Sequence, residues 1–209
     1  MGSTVLLRAG PVAGILFVVL SIAGLVIHGY PANSRDAVRK WIATTDPTRF
    51  AIGIWLEGFA FMLFLVFAAW LLRTHRRPGV PRWPADLAMG SAVLATGSAL
   101  LINGVWTAVL DAGRAGVESG PLYAVRVVAQ DTFNATLFFY GFFALGVAVL
   151  TSVGHTLPRW LSWSAAAVGI LMLIPLAASA AILAFYVWIL AVTIVALRRR
   201  QEPDTQPAI

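Results

Sequence analysis

The sequence contains no cysteine and only three histidines, and both absences narrow the chemistry that it can perform. Without cysteine the chain has no disulfide, no thiolate nucleophile and no cysteine-ligated metal. The histidines, His28, His75 and His155, are too far apart in sequence to form a helical ligand pair. We therefore predict no metal site and no other cofactor.

Charge is also scarce. Charged residues make up 11% of the chain and hydrophobic residues 59%, whereas a soluble domain has about 25% charged residues. Long uncharged runs between short charged loops are typical of a polytopic membrane protein. The net charge of +6 comes from basic residues beside these runs, where membrane topology places them. We therefore expect membrane lipids as partners, and no nucleic acid.

The hydrophobic runs predict an all-α bundle of six transmembrane helices. The predicted spans are residues 10–29, 50–72, 87–110, 127–150, 160–176 and 179–197, in one domain 1–200 followed by a polar tail 201–209. Residues 161–197 are uncharged and too long for one span, so we expect Pro175 to break them into a hairpin. Nine Lys and Arg residues fall on one side of the spans and six on the other, which places both termini in the cytoplasm.

The first outer loop is expected to carry structure of its own. Val38, Trp41 and Ile42 follow the spacing of one helix face, so residues 34–42 predict a short amphipathic helix at the interface. Asp46 and Pro47 then have the order of a helix cap and first helical residue, and they predict where the second span begins.

Glu57 is the most informative residue of the sequence, because it is the one charged side chain in the span 50–72. An acidic residue at the centre of a span costs roughly 2.5–3.5 kcal/mol on insertion scales, so it is a candidate functional group by default. We predict that Glu57 is a protonated catalytic acid. The alternative is a structural carboxyl group that hydrogen-bonds to Asn103 across two helices.

Other polar and aromatic residues are predicted at a similar depth, in the outer half of the membrane. Asp131 is the predicted second catalytic carboxylate, and the predicted substrate-binding residues are Asn103, Asn134, Trp55, Trp106 and Tyr186. Each also has a simpler interpretation, since membrane asparagines often join helices, Asp131 can be solvated at the interface, and aromatic residues often only pack. His28 is interpreted as a boundary residue. The inner halves of the spans are almost purely apolar, which favours a pocket in the outer half.

Three functional classes remain open. The first is a membrane enzyme, a cyclase or isomerase, that uses an acid on a hydrophobic substrate such as an isoprenoid or a lipid. This chemistry is similar in kind to that of membrane-embedded terpene cyclases, although no motif of theirs aligns. The second is an accessory membrane protein without catalysis, and the third is a small proton-coupled transporter. The apolar inner halves disfavour the transporter, which needs polar residues through the full depth.

One stretch resembles a known family. Residues 155–163 read H-T-L-P-R-W-L-S-W, and they precede a hairpin that ends in Arg198, Arg199 and Arg200. Together with F-L-V-F-A-A-W-L in the second span, this pattern resembles small integral membrane proteins of high-GC bacteria, a family of unknown function. The resemblance implies six spans and a location in the bacterial plasma membrane. It implies no activity and no catalytic residues.

Overall fold

The computed structural model describes residues 2–31 and 34–201, and over this part the chain is built from helices. Residues 202–209, which make up nearly all of the predicted tail, lie outside the described residues. The helices are α1 (Gly2–His28), α2 (Arg35–Thr44), α3 (Pro47–His75), α4 (Trp83–Arg114), α5 (Ser119–Gly154), α6 (Arg159–Met172) and α7 (Ala178–Gln201), with a 3₁₀ turn over Pro175–Ala177.

The ends of several helices follow from local chemistry. The hydroxyl of Ser34 accepts a hydrogen bond from the Ala37 N–H (3.1 Å) at the start of α2. The Asp46 carboxylate accepts one from the Arg49 N–H (2.7 Å), and Pro47 is the first residue of α3, as the sequence predicted. At the C-terminal end of α5, His155 adopts a left-handed conformation with φ of 48°, and the helix stops there.

Six helices close into a ring. α1 packs against α3 and α7, α3 against α4, α4 against α5, α5 against α6, and α6 against α7. Several contacts between helices are close enough to require glycine, and two of them illustrate this. A Cβ atom at Gly24 of α1 would lie 2.5 Å from the Cγ atom of Glu57, and one at Gly141 of α5 would lie 2.9 Å from the Gly169 carbonyl oxygen of α6. The helix backbones therefore approach closely on both sides of the ring.

Five helices are long and apolar enough to cross a membrane, which confirms a helical membrane bundle. They are Ala9–His28, Pro47–His75, Trp83–Arg114, Ser119–Gly154 and Ala180–Arg198. The predicted span 160–176, the fifth of the six, is not among these five. Helix α6 has 14 residues, about 21 Å at 1.5 Å per residue against about 30 Å of hydrocarbon. The predicted break is confirmed, because the chain leaves α6 at Met172 and resumes as α7 at Ala178.

The two ends of the ring differ in their side chains. One end, the arginine end, has exposed arginines in the terminal turns of helices or in the loops beside them: Arg73, Arg76, Arg77, Arg82, Arg159 and Arg198. At the other, the α2 end, helix α2 packs across α4 and α5. The amphipathic helix predicted there is confirmed. Its Val38 is fully buried, and the Trp41 ring lies 5.5 Å from that of Trp106.

An aromatic cluster fills the middle of the ring. The ring of Phe64 is fully buried, and its centroid lies 5.0 to 5.1 Å from the rings of Phe17, Tyr140 and Phe143. Such pairs stabilise a fold by about 0.5–1.5 kcal/mol each beyond the area they bury. This cluster is the floor on which the candidate site rests, because Tyr140 belongs to both.

Candidate functional site

Glu57 lies in α3 with 6% of its surface exposed, and both of its carboxylate oxygens have partners. Oε1 lies 3.1 Å from Nε2 of His28, which comes from the last turn of α1. Oε2 accepts a hydrogen bond from the hydroxyl of Tyr30 (3.2 Å), in the loop that follows α1. The carboxyl group is thus held by two groups that sequence reasoning did not assign to the site. We call Glu57 and His28 the dyad.

Both ring nitrogens of His28 have close neighbours. Nδ1 faces the Gly29 carbonyl oxygen at 3.2 Å, and because a carbonyl oxygen only accepts, Nδ1 is the donor in this contact. Nε2 lies within ion-pair distance of Oε1, although the two atoms are not aligned for a hydrogen bond. The contact therefore pairs the imidazole ring with the carboxyl group by proximity.

Aromatic rings enclose the dyad at the α2 end. The Tyr30 ring stands edge-on to His28 at 4.4 Å and lies 5.2 Å from Trp106. The indole N–H of Trp41 donates to the Gly29 carbonyl (3.3 Å), which fixes the turn that carries Tyr30. Desolvation of the Tyr30 hydroxyl and the nearby Glu57 carboxylate raise the pKa of Tyr30 well above its usual range. Tyr30 therefore stays protonated and acts as a donor.

A cavity of about 420 Å³ adjoins the dyad. This volume falls within the range of small-molecule sites, about 300–1,000 Å³. We call it the ring cavity, because α1, α3, α4, α5 and α7 all contribute to its wall. The residues that line it are Ser21, Leu25, Tyr30, Pro31, Glu57, Phe61, Ala99, Ile102, Asn103, Trp106, Arg126, Ala129, Gln130, Phe133, Thr136, Leu137, Tyr140, Ile182, Leu183 and Tyr186.

Within the dyad, Glu57 faces the cavity and His28 lies behind it. Glu57 is among the lining residues, and 8% of its side chain is exposed, whereas the side chain of His28 is fully buried. This is the arrangement of a reacting group oriented by a second group that does not touch the substrate. A ligand in the ring cavity would therefore meet the carboxyl group, with His28 on the far side of it.

One face of α5 forms the longest wall. Its lining residues recur at helical spacing from Arg126 to Tyr140, which follows 14 residues later. At 1.5 Å per residue this wall is about 21 Å long. The cavity is therefore elongated along the bundle. Arg126 stands at its α2 end and Tyr140 at the aromatic floor.

Four of the seven predicted site residues line the ring cavity: Glu57, Asn103, Trp106 and Tyr186. Asn103 also tests the alternative interpretation, because its Nδ2 atom approaches the Ile54 carbonyl oxygen at 3.5 Å. This contact joins α4 to α3 rather than Asn103 to Glu57. Asn103 thus links two helices and also borders the cavity.

The other three predicted site residues do not line the ring cavity with Glu57. Asp131 is exposed, Asn134 is half-buried, and Trp55 is 68% exposed, and none of them lines the ring cavity. The physical reason is helix geometry, since successive residues turn by about 100°. Asp131 points away from the α5 wall, and Trp55 lies almost opposite Glu57 on α3. The roles predicted for Asp131, Asn134 and Trp55 have no support in this placement.

Sequence reasoning missed His28, Tyr30, Arg126, Gln130 and Tyr140. His28 was interpreted as a boundary residue because no periodic pattern links the end of one span to the middle of the next. Tyr30 lies in a loop, where spacing predicts nothing. The α5 residues did leave a signal: Arg126, Gln130, Phe133, Leu137 and Tyr140 follow the i, i+3, i+4 spacing of one helix face.

Comparison of the chain with protein-family models, with curated proteins and with solved structures found no match. The resemblance to small bacterial membrane proteins therefore stays a prediction. Function has to be argued from the site itself.

Proposed function

We propose that the chain spans the bacterial plasma membrane six times, with both termini in the cytoplasm. The arginine end supports this orientation, because Lys and Arg concentrate on cytoplasmic loops. For the sixth span, α6 adds the 3₁₀ turn Pro175–Ala177 to its 14 residues, and the tip residue Leu176 is apolar and fully exposed. An apolar tip of this kind suits the hydrocarbon boundary better than water.

We propose that the ring cavity is the active site of a membrane enzyme that performs acid–base chemistry on a hydrophobic substrate. One observation carries the proposal: Glu57 faces the cavity while the buried His28 holds the other side of its carboxyl group. With the α2 end outward, Glu57 lies in the outer half of the membrane. An isoprenoid or another lipid is the substrate class that such a position admits.

In this proposal the dyad holds one proton that Glu57 can donate and take back, which suits an isomerase or a cyclase. Glu57 gives a proton to one end of a substrate double bond, and the C=C π electrons form the new C–H bond. A proton then leaves another carbon for the Glu57 carboxylate, and the electrons of that C–H bond form a new double bond. No oxidant and no net proton is consumed. Aromatic faces such as that of Trp106 stabilise the cation between the two steps.

A structural role is the second candidate, and the hydrogen bonding of Glu57 favours it. Both carboxylate oxygens are already engaged, one by α1 through His28 and one by the loop through Tyr30. Such a tie fixes the packing of α1 on α3 without any chemistry. It is the accessory function that the sequence left open, and it would make Glu57 important for stability alone.

The experiment compares wild type with Glu57→Gln and Asp131→Asn in a bacterial host fed candidate isoprenoids. Lipid extracts are read by mass spectrometry, and the thermal stability of each purified protein is measured. Asp131→Asn is the matched control, because it removes a carboxylate that does not line the cavity. A product lost only in Glu57→Gln, with stability retained, supports the enzyme. If no variant forms a product and Glu57→Gln is much less stable than wild type, the enzyme is rejected and the structural role of Glu57 is supported.

A further inference from the structure

The ring cavity is mainly apolar and has a basic residue at one end. Arg126, Gln130 and the hydroxyl-bearing Tyr30 line the α2 end, whereas apolar residues such as Phe61 and Leu137 line most of the remainder. The polar residues Ser21, Asn103 and Thr136 lie among them. This gradient runs along the α5 wall. A ligand that satisfies both ends must have a polar head and an apolar chain.

Arg126 brings a cationic side chain to the polar end. The other charged residue of the lining is Glu57, which lies beside His28. Arg126 is buried, with 6% of its surface exposed. Its guanidinium group presents a planar set of donors that matches the oxygens of a carboxylate or a phosphate. The head group that this end selects is therefore anionic.

A second observation points to a ligand at the opposite end. The hydroxyl of Tyr140 has no hydrogen-bond partner among the described residues, although only 3% of the residue is exposed and it lines the cavity. Buried hydroxyl groups in proteins are nearly always hydrogen-bonded. A bound molecule that reaches the aromatic floor would supply the Tyr140 hydroxyl with a hydrogen-bond partner.

The wall of the cavity opens sideways beyond the end of α6. Gly141 of α5 contacts Gly169 and Met172 near the end of α6, so the α5 wall from Arg126 to Tyr140 continues past that end. Leu25 of α1 and Leu183 of α7 line the cavity and are nevertheless 47% and 61% exposed. In a membrane these exposed leucines face lipid, which gives a chain a lateral route into the cavity.

From these observations we infer that the ring cavity binds a single-chain amphiphile with an anionic head group. The head lies at Arg126, and the chain runs along α5 toward Tyr140 and passes Glu57 on the way. The inference rests on the proposed function and names its substrate class. The shared chemistry is an anionic group on a long apolar chain, and that chain can be an isoprenoid or an acyl chain.

Binding to the purified protein in neutral detergent tests the inference. The probes are two matched pairs: geranylgeranyl phosphate with geranylgeraniol, and hexadecyl phosphate with hexadecanol. Wild type should bind at least one phosphate about tenfold or more tightly than its alcohol, because a charge-assisted contact with Arg126 is made by the phosphate alone. The pair that shows the larger difference identifies the chain. Equal binding of phosphate and alcohol in wild type overturns the inference while leaving a hydrophobic substrate in place.

Variants then assign the selectivity to one residue. Arg126→Gln should abolish the preference for phosphate, and Arg126→Lys should keep part of it because the charge remains. Arg39→Gln is the matched control, since Arg39 is exposed on α2 at the same end and does not line the cavity. If Arg39→Gln loses the preference for phosphate to the same extent, the preference comes from surface charge, and the proposed head-group site at Arg126 is wrong. If no probe of either pair binds wild type, both the inference and the proposed function fail.

Discussion

The two halves of the bundle use buried polar groups in different ways. Toward the arginine end, several buried polar groups bond within their own helix or to the next one. Nδ1 of His75 lies 2.8 Å from the Leu71 carbonyl oxygen, and the hydroxyls of Thr151 and Ser162 lie 2.9 Å apart. Toward the α2 end, Glu57 and Arg126 border a cavity instead. These polar groups of the first half thus stabilise helix packing, while Glu57 and Arg126 border a space with room for a ligand.

The largest expected effect follows from the aromatic floor between the two halves. Phe64→Ala removes the ring at the centre of this cluster, and we expect it to reduce the free energy of unfolding by about 3–5 kcal/mol. Phe61→Ala, one turn along α3 at the cavity wall, is the matched control and should cost clearly less, because its ring already borders empty space. Thermal unfolding in detergent measures both. Equal losses would mean that the two halves are packed alike.

A smaller effect is expected where α1 approaches Glu57. Gly24→Ala places a methyl group against the Glu57 side chain, with the new Cβ 2.5 Å from its Cγ. We expect overpacking to cost about 1–3 kcal/mol and to displace the carboxyl group from His28. Gly97→Ala is the control, because a Cβ atom there meets nothing within 4 Å. Unfolding curves of both variants measure the loss of stability. Activity assays measure the displacement of the carboxyl group, which should lower the activity of Gly24→Ala and leave that of Gly97→Ala unchanged. A neutral Gly24→Ala would contradict the close packing of α1 on α3.

The dyad can be tested by a double-mutant cycle. Glu57→Gln, His28→Gln and the double variant should show a coupling free energy of about 0.5–3 kcal/mol, because the two side chains are in direct contact. Denaturant unfolding of the four proteins measures it. His75→Gln combined with Glu57→Gln is the control, and these two changes should add, since His75 lies near the other end of α3. Additive effects within the dyad would show that the contact contributes nothing.

The sequence predicted the periodic features of this fold well. Apolar length indicated the helical bundle, and the cap at Asp46 indicated where α3 begins. These features depend on residues that are close in sequence. The distances of Trp106 and Tyr186 from their helix ends also predicted that they lie at the same depth as Glu57.

The rest depends on rotation and on contacts between distant residues. Depth does not say which way a side chain points. Asp131 and Trp55 were predicted in the layer of Glu57, and both lie on helix faces that do not line the cavity. The partner of Glu57 is 29 residues away in sequence, at the end of another helix. No local pattern links His28 to Glu57. Close packing of α1 on α3 at Gly24 brings them together, and that contact is visible only in the structure.

The smallest effects are expected from substitutions on the surface that faces away from the cavity, and they can be compared with a substitution in the cavity wall. Asp131→Asn and Trp55→Leu change exposed side chains, so each should alter the free energy of unfolding by no more than about 0.5 kcal/mol. Neither should change the binding of a phosphate amphiphile, whereas Trp106→Leu should weaken it, because Trp106 lines the cavity beside Tyr30. Binding and unfolding measured on the same preparations separate the two outcomes. A loss of binding in Asp131→Asn equal to that in Trp106→Leu would return Asp131 to the site and would require α5 to rotate.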